Sequence, residues 1–221
     1  MKRVCWQASR WLLCIVVGAC FKEFWPRSLA QDVPATQAAR SPSLTVRIHD
    51  YAKVNPSTLR SAEKIAGQVF TAIGIGVVWL DVPLTRAELA NSGRHLSDHG
   101  EAVVDASILP RSMTALAKLP ESTLGETFMV REGERTTFAD IYYDHVEREA
   151  RHIDTSKARI LGYAIAHELG HMLLRTSHHA ETGIMIAKWR PVELQYAAQG
   201  KLLFTSEQVQ MIRAEVSVRS R

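Results

Sequence analysis

The sequence predicts an α+β domain in which a mixed sheet packs on a central helix and the C-terminal part is helical. Two observations lead to this prediction: alternating, β-branched segments dominate the first half of the chain, and helical periodicity dominates the second half. Of the 221 residues, 46% are hydrophobic and 23% are charged. This composition is typical of a globular protein with its own core.

The predicted domain opens with a strand–helix–strand unit. Residues 44–49 alternate as in a strand, and residues 75–80 form a second strand. Between them, Asn55 is placed to cap a helix that has Pro56 at its first position and stops at Gly74. This crossover is long enough for the two strands to pair in parallel. The apolar stripe of the helix comprises Leu59, Ala62, Ile65, Ala66, Val69, Phe70 and Ile73.

Three more strands are predicted in the middle of the chain, over residues 102–109, 125–130 and 138–143. A turn at residues 132–134 suggests that the last two form a hairpin. The polar residues 84–100 contain several breakers, and they predict a loop.

The second half of the chain predicts three helices. The first starts at Asp154 or Thr155 and runs to about Leu174. A short helix follows from Pro191 and stops at Gly200. The last helix begins at the N-cap Thr205, with a glutamine three residues on in a capping-box pattern.

The N-terminus predicts export. Residues 1–20 read as a signal peptide or a lipoprotein leader, because a basic start precedes an apolar stretch shorter than the roughly 20 residues of a transmembrane helix. Cys20 follows Val17-Gly18-Ala19, a loose lipobox. Cleavage near Ala19 or Ala30 and an uncleaved anchor are the alternatives. We expect a flexible tether over residues 21–43, a domain over residues 44–221, and a periplasmic, membrane-anchored or secreted location.

Charge and cysteine content exclude several classes of function. The net charge of +4 comes from the first 30 residues, where five basic side chains face one glutamate, so the rest of the chain is neutral. A neutral domain gives no support for nucleic-acid binding. All three cysteines, Cys5, Cys14 and Cys20, lie in the leader, which excludes disulfides and thiolate ligands from the domain.

The residues that indicate chemistry are His167, Glu168 and His171. The two histidines, four residues apart on a helix, project from one face and could bind one Zn²⁺. Glu168 lies one step round the helix, where it could act as general base on a zinc-bound water and then protonate a leaving amine. The flanking residues are apolar, and burying these three polar groups is costly unless they are paired or bind a metal.

A catalytic zinc site requires a third protein ligand and an open fourth position. The sequence downstream of the helix offers His178, His179 and Glu181 as candidates. From residue type alone, all three remain open.

At this point the chain resembles the metzincin group of zinc peptidases, whose signature is H-E-x-x-H-x-x-G-x-x-H followed by a methionine turn. Gly183-Ile184-Met185 resembles that turn, which implies that Met185 lies beneath the metal. The match is imperfect, because Leu174 and Ser177 stand where the signature has its glycine and its third histidine. A bacterial variant with a longer spacer has its histidine six residues before the methionine, and this resemblance favours His179 over His178.

The resemblance implies a zincin-like fold and a zinc-dependent endopeptidase that acts on a peptide or protein substrate, with an extended peptide beside an edge strand. The first alternative is a non-catalytic envelope protein with a structural or vestigial zinc site, in which Glu168 would have no use. The second alternative is a membrane-tethered binding module in which the motif is accidental.

Other polar and aromatic residues have more ordinary interpretations. Tyr142 and Tyr143 could steady an oxyanion, but half-buried strand positions are expected. Trp189 is expected to pack the helical part rather than line a substrate pocket. The remaining histidines show no ligand spacing and are expected to be surface or hydrogen-bonded residues: His49, His95, His99, His145 and His152.

Overall fold

The computed structural model describes residues 42–83, 102–129, 131–133, 135–136 and 138–220. Its strands are β1 (Ser43–Asp50), β2 (Gly76–Asp81), β3 (Ala102–Leu109), β4 (Gly125–Thr127) and β5 (Phe138–Tyr142). Its helices are α1 (Pro56–Thr71), α2 (Arg111–Ala117), α3 (Tyr143–His152), α4 (Lys157–Leu174), α5 (Pro191–Ala198) and α6 (Ser206–Arg219). The predicted leader, most of the tether and the predicted loop 84–100 lie outside the described residues.

The five strands form one mixed sheet in the order β2-β1-β3-β5-β4. The four strands β2, β1, β3 and β5 are parallel, and β4 runs antiparallel to β5 at the edge. Helix α4 lies against α1, β4 and β5, with α3 and α6 packed on its other sides. The predicted α+β class, with a mixed sheet packed on the helix of His167 and His171 and a helical C-terminal part, is confirmed.

The strand–helix–strand start is also confirmed, because β1 and β2 are parallel and α1 connects them. The side chain of Asn55 accepts a hydrogen bond from the backbone N–H of Ser57, and Pro56 is the first residue of α1. Gly74 takes a positive φ of 76° after the helix. Close packing of α1 on α4 requires Gly162, since a Cβ there would lie 2.6 Å from the carbonyl oxygen of Ala62.

The structure corrects several predicted boundaries. The strand predicted over residues 125–130 is only three residues long, and the strand predicted over 138–143 ends at Tyr142. They pair as predicted, and Glu132 and Gly133 lie in a turn between them, with Gly133 at a positive φ of 81°. The helix predicted from Asp154 or Thr155 is instead capped by Ser156, because Asp154 takes a positive φ of 50°. Strand β1 begins at Ser43, inside the predicted tether.

Helices α2 and α3 were not predicted. Helix α2 has seven residues, and no side chain caps its N-terminus at Pro110. Helix α3 follows β5 directly at Tyr143, again without a capping side chain. Both helices therefore lack the N-terminal capping side chain by which a helix start is most readily recognised in a sequence. Among the described helices, none combines the length and the apolar character that a membrane crossing requires.

A buried ion pair attaches the C-terminal helix to the centre of the domain. The Nε of Arg219 donates to Oε1 of Glu215 at 2.9 Å, and both side chains are less than a tenth exposed. The Nη2 of Arg219 also donates to the carbonyl oxygen of Met172 near the end of α4, at 3.0 Å. Burial raises the pKa of Glu215, but hydrogen bonds from Arg219 and Arg135 outweigh it, and the pKa lies below its ordinary value of 4.5.

Replacement of Glu215 by alanine should leave the Arg219 guanidinium buried without its partner and lower the free energy of unfolding by about 3–5 kcal/mol. Because the Glu215 pKa is lowered in the folded state, the advantage of wild type over the variant should be full above pH 4.5 and lost as the pH falls further. Urea unfolding at pH 7 and pH 3, with a chelator present, measures both. The control is Glu207→Ala at an exposed position of α6, and equal losses in the two variants would contradict the prediction.

Candidate metal centre

Helix α4 carries the predicted site through the middle of the core. All of its residues except Lys157 and Arg159 are buried. His167 and His171 are 8% and 5% exposed. The ring nitrogens of two imidazoles that are this deeply buried are expected to form hydrogen bonds or to bind a metal.

Backbone carbonyls orient both rings. The Nδ1 of His167 lies 2.8 Å from the carbonyl oxygen of Ile184, and the Nδ1 of His171 lies 2.7 Å from that of Thr176. A carbonyl only accepts, so each Nδ1 carries the proton and each Nε2 presents a lone pair. The two Nε2 atoms lie 3.1 Å apart and therefore face each other with lone pairs.

The chain turns back toward these rings immediately after α4. Arg175 caps the helix with a φ of 56°, in the left-handed conformation that glycine usually supplies. This turn comes one residue later than the glycine of the metzincin signature, where Leu174 stands. It brings the Nε2 of His179 to 3.3 Å from the Nε2 of His171. The donor atoms of His167, His171 and His179 all lie within 4.8 Å of one another.

The other two candidate ligands point elsewhere. The His178 side chain is 82% exposed, and its Nδ1 lies 3.4 Å from Oε1 of Glu132. Glu132 also accepts hydrogen bonds from the backbone N–H and the hydroxyl of Ser177. Hydrogen bonds from Thr176 and Ser177 lower the pKa of Glu132 to about 2. Glu181 is exposed and is not part of the histidine group.

The chemistry of this donor set fits a zinc ion. Tetrahedral ligands at about 2.0–2.1 Å from a metal lie about 3.3–3.4 Å from one another. Two of the three donor separations are 3.1 and 3.3 Å, and the third, between His167 and His179, is within 4.8 Å. Burial and the neighbouring His171 lower the pKa of His167 to about 3, and burial also lowers the pKa values of His171 and His179. The imidazoles are therefore held neutral, as metal ligands must be.

Glu168 lies beside this group, 5% exposed. The hydroxyl of Thr127, at the end of β4, lies 2.8 Å from Oε2 of Glu168 and 3.0 Å from its backbone carbonyl oxygen. Burial raises the pKa of Glu168 to about 8, although the Thr127 hydrogen bond acts in the opposite direction. The close approach of β4 requires a glycine, because a Cβ on Gly125 would lie 2.7 Å from the Glu168 Cγ.

The predicted methionine turn packs against the same helix. Met185 is 1% exposed, and a Cβ on Gly170 would lie 2.5 Å from its Sδ and 2.8 Å from the ring of Phe204. The backbone N–H of Ala180 donates to the carbonyl oxygen of Met185 at 2.8 Å. The segment that carries Met185 therefore also supplies the Ile184 carbonyl that orients His167.

A cavity of about 200 Å³ opens beside His167, Glu168 and His179. Trp189 lines it, which corrects the expectation that this residue only packs the helical part; its ring also contacts Tyr163 edge-on. Neither Tyr142 nor Tyr143 lines this cavity.

The other predicted polar residues have ordinary environments. The Tyr142 hydroxyl donates to Glu126, and Tyr143 begins α3. His145 donates through Nδ1 to the carbonyl oxygen of Thr123, and His49 pairs with Asp105. His152 is exposed, while His95 and His99 lie outside the described residues.

Sequence reasoning missed Gly125 and Thr127, which contact Glu168, and Glu149, which lines the cavity. Gly125 and Thr127 lie about 40 residues before the histidine motif, and no local pattern links them to it. Glu149 belongs to a helix that was not predicted. Its sequence neighbours are charged, so nothing distinguished it from a solvated helix face.

Comparison with known proteins found similarity among solved structures. No protein-family model and no curated protein matches the chain. Among solved structures, the chain is similar to an archaemetzincin from Methanopyrus kandleri, with 12% sequence identity and a TM-score of 0.46 over 80% of this chain and 98% of that chain. So distant a likeness carries no functional conclusion.

Because the third donor atom belongs to His179 and the His178 side chain faces solvent, the two alanine variants should differ sharply. We expect His179→Ala to lose affinity for Zn²⁺ by more than about 100-fold, beyond the usual effect of outer-shell residues. His178→Ala should bind Zn²⁺ like wild type. Calorimetric titration with Zn²⁺ measures both affinities, and a larger loss in His178→Ala would reverse the assignment.

Proposed function

We propose that this protein is a zinc-dependent endopeptidase with His167, His171 and His179 as metal ligands and Glu168 as general base. The observation that supports this most directly is the convergence of three imidazole groups, two of them oriented by backbone carbonyls. The facing lone pairs of His167 and His171 repel each other, and a divalent cation bound by both nitrogens would remove this repulsion.

A zinc ion bound by these residues would supply Lewis acidity and lower the pKa of an attacking water. The contribution of the chain is to hold a proton acceptor beside that water. Glu168 suits this role because its raised pKa, about 8, lies near neutral pH, where a carboxylate can both accept a proton and release it to a leaving amine. The Thr127 hydroxyl fixes the position of the Glu168 carboxylate.

The sheet edge offers a binding mode for the substrate. Strand β4 is the last strand of the sheet and lies directly over Glu168. An extended peptide could add to this edge and place its backbone carbonyl above the histidines. We therefore propose a peptide or protein segment as substrate, not a nucleic acid. We also propose export to the cell envelope, which rests on the leader sequence alone.

The alternative of a purely structural zinc site has less support. Structural sites fill all four positions with protein ligands, and among the described residues only three donors converge. A cavity also opens beside them. A structural site has no need for a buried carboxylate next to its ligands, whereas a hydrolase does.

Replacement of Glu168 by glutamine should abolish proton transfer and leave the three imidazoles in place. We expect peptidase activity to fall about 10²–10⁴-fold, the usual contribution of a general base, while Zn²⁺ affinity stays near that of wild type. Cleavage of a quenched fluorescent peptide library measures the activity. The control is Glu181→Gln, which changes an exposed carboxylate and should remain active. Full activity in Glu168→Gln would refute the proposed mechanism.

Replacement of Gly125 by alanine should displace the Glu168 side chain, because the new Cβ would lie 2.7 Å from its Cγ and 2.9 Å from the backbone oxygen of Asp140. A shift of about 1 Å can cost on the order of 100-fold in rate, so activity should fall much more than Zn²⁺ affinity. The matched control is Gly76→Ala in β2, where the nearest atom is 3.9 Å away. Equal kinetics in the two variants would contradict this role of Gly125.

A further inference from the structure

The cavity beside the metal centre has a mixed lining that points to one kind of substrate side chain. Its volume is about 200 Å³, and a cavity of about 150 Å³ already admits a benzene molecule. There is therefore room for one amino-acid side chain. Because His167 and Glu168 form part of the wall, a side chain bound here belongs to a residue next to the scissile bond.

About half of the wall is apolar, and this part is firmly held. Leu124 precedes β4, Ala164 is a buried residue of α4, and Ile186 follows the methionine turn. The Trp189 Nε1 donates to the carbonyl oxygen of Ile184 at 3.1 Å, and the ring meets that of His167 edge-on at 6.0 Å. The apolar part of this wall suits the methylene stem of a long side chain.

A second carboxylate, besides that of Glu168, lines the cavity. Glu149 of α3 is half-buried, and its side chain has no hydrogen-bond or ion-pair partner in the described part of the chain. Its neighbours on the same helix differ, because Glu147 pairs with Lys157 and Asp144 lies near Arg148. The unpaired Glu149 carboxylate is therefore available to accept a charge-assisted hydrogen bond from a cation of a ligand.

The cavity has one cationic residue of its own, Lys188. Lys188 is exposed, and its ammonium makes no ion pair with Glu149. It therefore lies at the hydrated rim and leaves the Glu149 carboxylate free for a ligand. The indole of Trp189 provides a further favourable surface for a cation, especially a guanidinium.

We propose that this cavity binds the side chain of an arginine or lysine next to the scissile bond, with Glu149 as the residue that determines specificity. The stem lies on Leu124, Ala164 and Ile186, and the charged head reaches Glu149. The position relative to the scissile bond rests on the proposed peptidase function. The free amino terminus of a peptide carries the same charge, but it has no apolar stem to cover these walls.

Binding of peptide hydroxamates to the zinc-loaded full chain tests the proposal without requiring catalysis. Three compounds carry the hydroxamate in place of the amino terminus and differ only in the adjacent side chain, which is arginine, uncharged citrulline or uncharged norleucine. A fourth compound has the norleucine side chain and, in addition, a free amine that represents a peptide amino terminus. We expect the arginine compound to bind at least about tenfold more tightly than the citrulline compound, as for a charge-assisted hydrogen bond.

In Glu149→Gln this preference for arginine should fall to near onefold, while Zn²⁺ content and norleucine affinity stay unchanged. Glu207→Gln, an exposed change of the same kind on α6, should keep the preference. Equal binding of arginine and citrulline by wild type, or a preference that survives in Glu149→Gln, would overturn the proposal. Tightest binding of the free amine would assign the carboxylate to a peptide amino terminus instead and would also overturn it.

The outcome is separable from that of the proposed function. A protein that prefers arginine in a Glu149-dependent manner but cleaves no peptide refutes the peptidase proposal alone. A protein that cleaves peptides without this preference refutes the specificity proposal alone. If none of the four hydroxamates binds, the specificity proposal is overturned, and peptide cleavage decides the peptidase proposal separately.

Discussion

The site depends above all on two hydrogen bonds from imidazole to backbone. His167 and His171 donate through Nδ1 to the carbonyls of Ile184 and Thr176, and these bonds determine the tautomer and the direction of each ring. Both carbonyls belong to the segment that follows α4, so the site forms only when that segment folds back on the helix. Binding of a metal ion by these histidines would therefore be coupled to the folding of residues 175–189.

Because α4 is buried, the neighbouring elements pack closely against it on several sides. Two glycines of α4 and one glycine of β4 leave no space for a methyl group. Gly162 contacts α1, Gly170 contacts Met185, and Gly125 of β4 contacts Glu168. The helix is therefore positioned from three sides by contacts with little tolerance. Such a surrounding keeps the polar groups of Glu168 and the histidines aligned within a core that otherwise disfavours them.

Local signals in the sequence predicted much of this arrangement. The Asn55 cap, the Thr205 capping box and the spacing of His167 and His171 each act within one helical turn, and the structure contains all three. Where the geometry depends on distant contacts, prediction failed: α3 lacks a capping side chain, and β4 is shortened to the residues that contact Glu168. The position of His179 was inferred from resemblance, because the turn at Arg175 uses a non-glycine residue in a left-handed conformation that no simple rule anticipates.

The brevity of β4 has a consequence for how the protein meets other chains. Three residues of an edge strand span about 10 Å and expose very few unpaired N–H and C=O groups. An edge this short is a poor template for sheet extension between molecules, so it protects the domain from aggregation through its open side. Because the strand is so short, backbone hydrogen bonds to it are too few to hold a bound polypeptide by themselves. Stable binding of another chain must therefore also use contacts away from the sheet.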